Sequence, residues 1–333
     1  MSSKEIQLAE EMLLQLIEEQ RIPGLAITVR KKNAVCYEKG FGCANLEDGI
    51  PIDPQKTIFR IASVSKPIAA SALAVMVNEG QIRLDTSFYQ YVPYFPPKEY
   101  DFTIGQLASH TAGIRSYRGM EYGLDKPFSI KDGISVFKDD PLLFRPGSNY
   151  HYSSYDWVLI SLAMEEVSGL QFKDYVKEKV LDPLGLKNTF AEISGETMPF
   201  AATFYSKRKS GFRKAIPVNN FYKLAGGGYL STTADIALLG DSYLNGKMSD
   251  NAVVPQFLKS QLIEGIPTYY GLGWEVSADK KGRPYFGHIG NGVGGYAVFY
   301  VFPAQEMVFS IMTNCTNPGV LEELNAVIDI FLE

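Results

Sequence analysis

Strand-like runs before residue 45 and after residue 220, helical periodicity between them, and an amphipathic segment at each end predict an α/β (α+β) fold. Its core would be an antiparallel sheet flanked by N- and C-terminal helices, with a mostly helical inserted region. At 333 residues, with 46% hydrophobic and 21% charged residues, the chain can bury a large core. Residues 1–75 and 215–333 are expected to form the sheet region and 76–214 the helical one, with a site in the cleft between them.

The elements follow in order. "KEIQLAEEMLLQLIEE", residues 4–19, places Ala9, Met12, Leu13 and Leu16 on one helical face. "GLAITVRK" (Gly24–Lys31) and "AVCYEKGFG" (Ala34–Gly42) read as strands around a polar turn, hence a hairpin. A helix is expected from about Ser63 to Glu79. In the middle region Thr103–Ile114, Trp157–Gly169 and Phe172–Leu186 are the clearest helices, the last stopped by Pro183. "GGGYLSTTADIALLGDSYLNG" is a glycine turn and then a helix that Ser231 or Thr232 can cap. "YGLGWEVS", "GGYAVFYVFP" and "EMVFSIMTNC" read as strands. "NPGVLEELNAVIDIFLE" closes the chain as a helix, with Pro318 near its first turn and Leu321, Leu324 and Ile328 on one face.

Composition excludes several functions. Net charge is −5 and basic residues are scattered apart from Lys207-Arg208-Lys209, so no nucleic-acid partner is expected. The longest strongly apolar run, Ile68–Val77, is too short for a membrane span. Residues 4–19 are acidic where a secretory leader would be basic and then apolar, and the odd count of three cysteines fits a reducing compartment. A cytoplasmic location is expected. The three histidines (His110, His151, His288) form no pair at ligand spacing, and no metal or other cofactor is implied. The Asn314-Cys-Thr sequon is read as coincidental without a secretion signal.

Four S-x-x-K pairs occur: Ser63/Lys66, Ser135/Lys138, Ser206/Lys209 and Ser277/Lys280. Only Ser63 has an apolar approach, "TIFRIA", and a long apolar helix behind it. Residues three apart share a helical face, so Lys66 can reach the Ser63 hydroxyl, and a helix start favours developing negative charge. Serine becomes a nucleophile when a base takes its proton, and lysine serves as that base when its pKa is lowered. From these residues alone Ser63 is either a nucleophile or an ordinary helix start. No G-x-S-x-G occurs, which removes the nucleophile elbow. "GNGVGG" (Gly290–Gly295) satisfies G-x-G-x-x-G, but a strand follows where a dinucleotide site needs a helix.

With "IPGLAITV", "FRIASVSK", "LASHTAGI", "FRPGSNYHYSS", "AGGGYLSTTADIALL", "YGLGW", "HIGNGVGGY" and "VFSIMTN" in this order, the chain resembles the serine β-lactamase and penicillin-binding-protein-like hydrolases. The likeness is particularly to the branch containing class C β-lactamases, D-peptidases and related esterases. The resemblance implies Ser63 as nucleophile, Lys66 as its partner, and Tyr152 as a proton relay if nearby cations favour its phenolate. It implies that His288-Ile289-Gly290 form the strand edge beside the serine. The backbone N–H groups of Ser63 and Asn291 would make an oxyanion hole. Whether Lys66 or Tyr152 is the acylation base stays open. His110 reads as a structural hydrogen-bonding residue, and aromatic richness between Phe88 and Tyr122 as core packing. Tyr243-Leu-Asn245 and Lys209-Ser210-Gly211 imitate two of the family's motifs, but one ends a helix and the other sits in an exposed hairpin turn.

The departures are informative. Ser154 stands where the family pattern has asparagine, Ile289 where it has threonine, and His288 where it commonly has lysine. Groups that acylate are kept while groups that hold a substrate's amide and carboxylate are weakened, which relaxes discrimination. The expected activity is hydrolysis of small esters, or small amides and peptides, with poor β-lactam turnover. A β-lactamase or D-amino-acid-type peptidase is the alternative enzyme, and a catalytically silent binding or scaffold member the alternative class.

Overall fold

The computed structural model describes residues 3–193, 195–196, 198–248 and 250–333. Its main sheet has seven strands: β1 (Gly24–Lys31), β2 (Ala34–Asn45), β3 (Ile50–Pro51), β4 (Glu275–Ala278), β5 (Pro284–Gly292), β6 (Gly295–Phe302) and β7 (Met307–Thr313). Their order is β4-β5-β6-β7-β1-β2-β3, and every pairing is antiparallel. β1 forms the predicted hairpin with β2 and takes β7 on its other edge, so Leu25 lies opposite both Phe41 and Thr313.

Period-two alternation gives the sheet two buried faces. Leu25, Ile27, Val29, Phe309 and Ile311 turn to one face, under α1 (Ser3–Glu18) and the C-terminal helix (Leu321–Leu332), where Leu13, Leu16, Leu324 and Phe331 meet them. Ala26, Phe299, Val301 and Val308 turn to the other. That second face packs α2 (Ser65–Asn78), α3 (Ser154–Ser168) and α4 (Thr233–Leu244) into one continuous core with the C-terminal helix, α5, excluded from it. α2 and α3 are apolar around most of their circumference, as befits helices enclosed on all sides: Ala69, Leu73, Trp157 and Leu159 have no exposed surface. Among the described residues no helix is long and apolar enough to cross a membrane.

The structure corrects several expected boundaries. Ser63 lies in a 3₁₀ turn, Ala62–Val64, and α2 begins at Ser65. Thr103 and Gln106 form a capping box, but the helix they start ends at Ala108, because His110 turns into left-handed backbone at φ +60°. Pro183 does not stop its helix. A π turn over Lys177–Leu181 precedes it, and the chain stays helical to Leu184 before Gly185 closes it at φ +71°. Of "YGLGWEVS" only Glu275–Ser277 joins the sheet, since Gly273 at φ +82° lies against Trp157. The last helix starts at Leu321, after Gly319 at φ +65°, so Pro318 stays outside it. Thr232 is the cap of α4, its hydroxyl accepting from Asp235 N at 3.2 Å.

Candidate active site

Phe59–Arg60 pairs with Leu230–Ser231 and delivers the chain to the 3₁₀ turn that holds Ser63. Ala62, immediately before the serine, has φ +46°, a conformation that non-glycine residues seldom adopt. The glycine-rich end of β5 lies directly on this turn. A Cβ on Gly290 would stand 2.1 Å from Ile61 O and 3.2 Å from Ser63 N, and one on Gly295 2.3 Å from Arg60 O. Only glycine lets the two backbones come this close. "GNGVGG" is thus the turn of the β5–β6 hairpin, and Ser63 and Asn291 line one cavity of about 370 Å³.

Lys66 sits in the first turn of α2, wholly buried. Its Nζ lies 3.0 Å from Ser63 Oγ, 3.2 Å from Ser154 Oγ and 2.7 Å from the Gly226 carbonyl. Burial draws its pKa down to about 7, against the opposing pull of Asp156 and Glu275. The Tyr152 hydroxyl donates to Ser63 Oγ at 2.8 Å, and Lys66 Nζ lies 4.7 Å from the Tyr152 ring centroid. Burial holds the Tyr152 phenol well above its ordinary range, against the opposing hydrogen bond with Ser63, which disfavours the phenolate that the resemblance made conditional on nearby cations.

Tyr152 is positioned by the turn before α3, where Ser153 caps the helix by accepting from Tyr155 N. His110 supports that turn: its carbonyl accepts from His151 N at 2.9 Å, and its ring centroid is 4.5 Å from that of Tyr152. His110 Nδ1 accepts from Ser153 N at 3.3 Å and lies 2.6 Å from Asp156 Oδ2. Burial raises the Asp156 pKa and lowers that of His110, so it disfavours the charged form of each partner.

His288 is placed differently from the expected anion site. It is 1% exposed and does not line the Ser63 cavity. Its Nδ1–H donates to Ile289 O at 2.7 Å and its Nε2 accepts from the Tyr270 hydroxyl at 2.9 Å, while burial takes its pKa down to about 3. Ile289 packs toward the layer under the terminal helices. Ser154, expected beside substrate, lines the cavity and also meets Lys66. Asn291 Oδ1 accepts from Asn317 N at 3.2 Å. Of the two imitations, Tyr243 is buried, bonded to Ser71 Oγ at 2.7 Å, and Lys209-Ser210 turns between two short strands, Tyr205–Arg208 and Gly211–Lys214.

Sequence reasoning missed Asp156, Lys223, Gly226, Tyr270 and Glu275. Glu275 accepts from Ile289 N at 3.2 Å and stands 3.5 Å from His288 Nδ1, and burial pushes its pKa up to about 7 although 27% of its side chain is exposed. The one available signal was Lys223, a lysine amid "NNFYKLAGGG" directly before a glycine turn.

The Beta-lactamase family model matches residues 9–332. The human mitochondrial serine beta-lactamase-like protein LACTB is 26% identical over 400 residues, covering 91% of this chain and 73% of its own. Esterase EstB of Burkholderia gladioli is 29% identical over 208 residues, covering 57% and 52%. D-amino acid amidase from Ochrobactrum anthropi SV3, solved with D-phenylalanine, superimposes with a TM-score of 0.86 at 18% identity over 99% of both chains.

Proposed function

The chain belongs to the beta-lactamase family, and from that premise we propose that it is a serine hydrolase working through an acyl-enzyme on Ser63, with small esters, or small amides and peptides, as substrates and poor β-lactam turnover. The observation that carries this reading is the placement of Ser63 Oγ between Lys66 Nζ at 3.0 Å and Tyr152 OH at 2.8 Å. Near pH 7 a large fraction of Lys66 is a neutral amine. That amine keeps two N–H donors for the Gly226 carbonyl and Ser154 Oγ, which leaves its lone pair for the Ser63 proton.

Ser63 Oγ then bonds to the acyl carbon while its proton passes to Lys66. The carbonyl oxygen gathers negative charge against the N–H groups of Ser63 and Asn291, in the backbone contact that Gly290 permits. As the carbon–leaving-group bond breaks, the Tyr152 phenol protonates the departing atom and is resupplied from Lys66. Water repeats the sequence to release the acid. In this reading Tyr152 is a donor and Lys66 the base. The esterase among the relatives favours ester substrates, and the amidase of the same fold supports small amides as the second choice. The free thiols Cys36, Cys43 and Cys315 favour a reducing compartment, and we assign the cytoplasm.

The test is a fluorophosphonate, which forms an adduct only with an activated serine. Intact mass and peptide mapping are expected to show one adduct, on Ser63. No adduct, or one on another serine, overturns the reading and favours a silent binding protein. The same preparation is then assayed with short-chain esters, D-amino-acid amides and benzylpenicillin. Faster turnover of the penicillin than of the esters would sink the substrate assignment.

A further inference from the structure

A second buried lysine borders the Ser63 cavity, and the chemistry above makes no use of it. Lys223 ends the 3₁₀ turn Phe221–Lys223, directly before the short helix Leu224–Gly227 whose Gly226 carbonyl meets Lys66. Its side chain passes between aromatic rings, with Nζ 5.2 Å from the Tyr117 centroid and 5.7 Å from that of Tyr222, and only 4% of the residue is exposed. An ammonium has three donors. Among the described residues this one gives a single hydrogen bond, to the Tyr122 carbonyl, and meets no carboxylate.

The carboxylate that influences it most, Glu192, is already occupied. Arg60 donates to Glu192 Oε1 from Nε at 2.9 Å and from Nη2 at 2.6 Å, and Asn220 donates to Oε2 at 2.7 Å. No aspartate or glutamate is among the described residues lining the cavity. Burial lowers the Lys223 pKa to about 8, so the group is mostly charged at neutral pH. A buried cation with unused donors is costly until a counter-charge reaches it.

The neighbouring cavity has the opposite character. Tyr152, the proposed donor to the leaving group, lines it together with Glu275, Tyr150 and Tyr270. With Tyr152 on the leaving-group side, the acyl group falls to the cavity that Lys223 borders.

We propose that Lys223 anchors a carboxylate on the acyl portion of the substrate, so that the preferred substrates are monoesters or monoamides of dicarboxylic acids. The proposal rests on the acyl-enzyme reading and narrows its substrate class. The carboxylate is a spectator. The Ser63 Oγ–acyl bond forms, the bond to the leaving oxygen or nitrogen breaks, and the serine proton ends on that atom, while the distal carboxylate stays bound to Lys223.

The test compares 4-methylumbelliferyl hexanoate with the mono-4-methylumbelliferyl ester of adipic acid, matched in chain length, with spontaneous hydrolysis subtracted. The wild-type enzyme is expected to favour the adipate ester in kcat/KM by about tenfold or more, the usual scale of a charge-assisted contact. Lys223→Met is expected to lower the adipate-to-hexanoate ratio by a similar factor, mainly through KM, and Lys223→Arg to recover part of it. Labelling of Ser63 by a fluorophosphonate separates the two levels of failure. A labelled enzyme that hydrolyses hexanoate as well as adipate overturns the role of Lys223 alone. An unlabelled enzyme inert to both esters overturns the acyl-enzyme reading beneath it. The wild-type ratio decides the matter even where Lys223→Met fails to fold.

Discussion

Beneath α1 and α5, Leu13, Leu16, Leu324 and Phe331 close over Ile27, Phe309 and Ile311, with apolar side chains on both sides of the contact. On the cleft side Lys66, His110, Asp156 and His288 are each at most 1% exposed. Both regions are dry, but dryness does different work in them. Under the terminal helices it supplies transfer free energy, at about 25 cal/mol per Å² of apolar surface. Around Ser63 it moves proton affinities: Lys66 falls to about 7, Glu275 rises to about 7, and His288 is kept neutral. Chemistry is therefore expected where burial is least favourable.

The largest effect that can break this contrast is at the nucleophile. Ser63→Ala is expected to lower ester turnover by about 10³-fold or more, with the melting temperature unchanged to within about 2 °C. A large fall in melting temperature would mean that the cleft also carries stability. Lys66→Met is expected to cost about 10²–10⁴ in kcat. Its melting temperature should hold or rise, because a buried ammonium is removed.

Titration sharpens the same point. Wild-type kcat/KM should climb with pH through about 7 as Lys66 loses its proton. Stability has a linked signature. Between pH 7 and 10.5 the unfolded chain holds a proton on Lys66 that the folded chain has lost, so stability rises with pH across that window. Glu275 acts oppositely: the folded state holds its proton from pH 4.5 to about 7, and stability falls as pH rises through that range. Each contribution is read as a difference from wild type by denaturant titration: Lys66→Met should reduce the rise of stability between about pH 7 and 10.5, and Glu275→Gln the fall between pH 4.5 and about 7.

Leu13→Ala tests the other region. It is expected to cost about 2–5 kcal/mol of stability by denaturant unfolding while leaving kcat/KM within about twofold, since no site group touches it. The smallest change is Ile289→Thr. The side chain packs away from the cavity, so ester kcat/KM should stay within about threefold. A tenfold change would put Ile289 back beside the substrate.

Much of the fold was legible because β6 and β7 are nearly continuous apolar runs, buried on both faces, and α1 has a single apolar face. Ser63 and Lys66 were legible because three residues along a tight helical turn bring side chains together, and Tyr152 because it sits in a recognisable order of motifs. Asp156 and Glu275 carry no local pattern, and Lys223 only its place before a glycine turn. They reach the site through long-range contacts, as Gly226 reaches Lys66 across 160 residues. Helix ends were misplaced where a single backbone angle decides them, at His110 and Gly319. The identity of His288 was plain in the sequence, but its burial was not, because that depends on Tyr270 and Glu275 closing over it.

The contact between Gly290 and the Ser63 turn has a consequence in time. Ser63 is translated long before residue 290, and β1 has no β7 to pair with until Thr313 has been made. Until then Lys66 is solvated, with the ordinary lysine pKa of 10.5, and the serine beside it is an ordinary alcohol. Ser63 of a nascent chain is consequently expected to be unreactive toward a fluorophosphonate and to acquire its reactivity only when the two distant ends have met. Pulse labelling with a fluorophosphonate during refolding would use that delay as a clock for closure of the sheet.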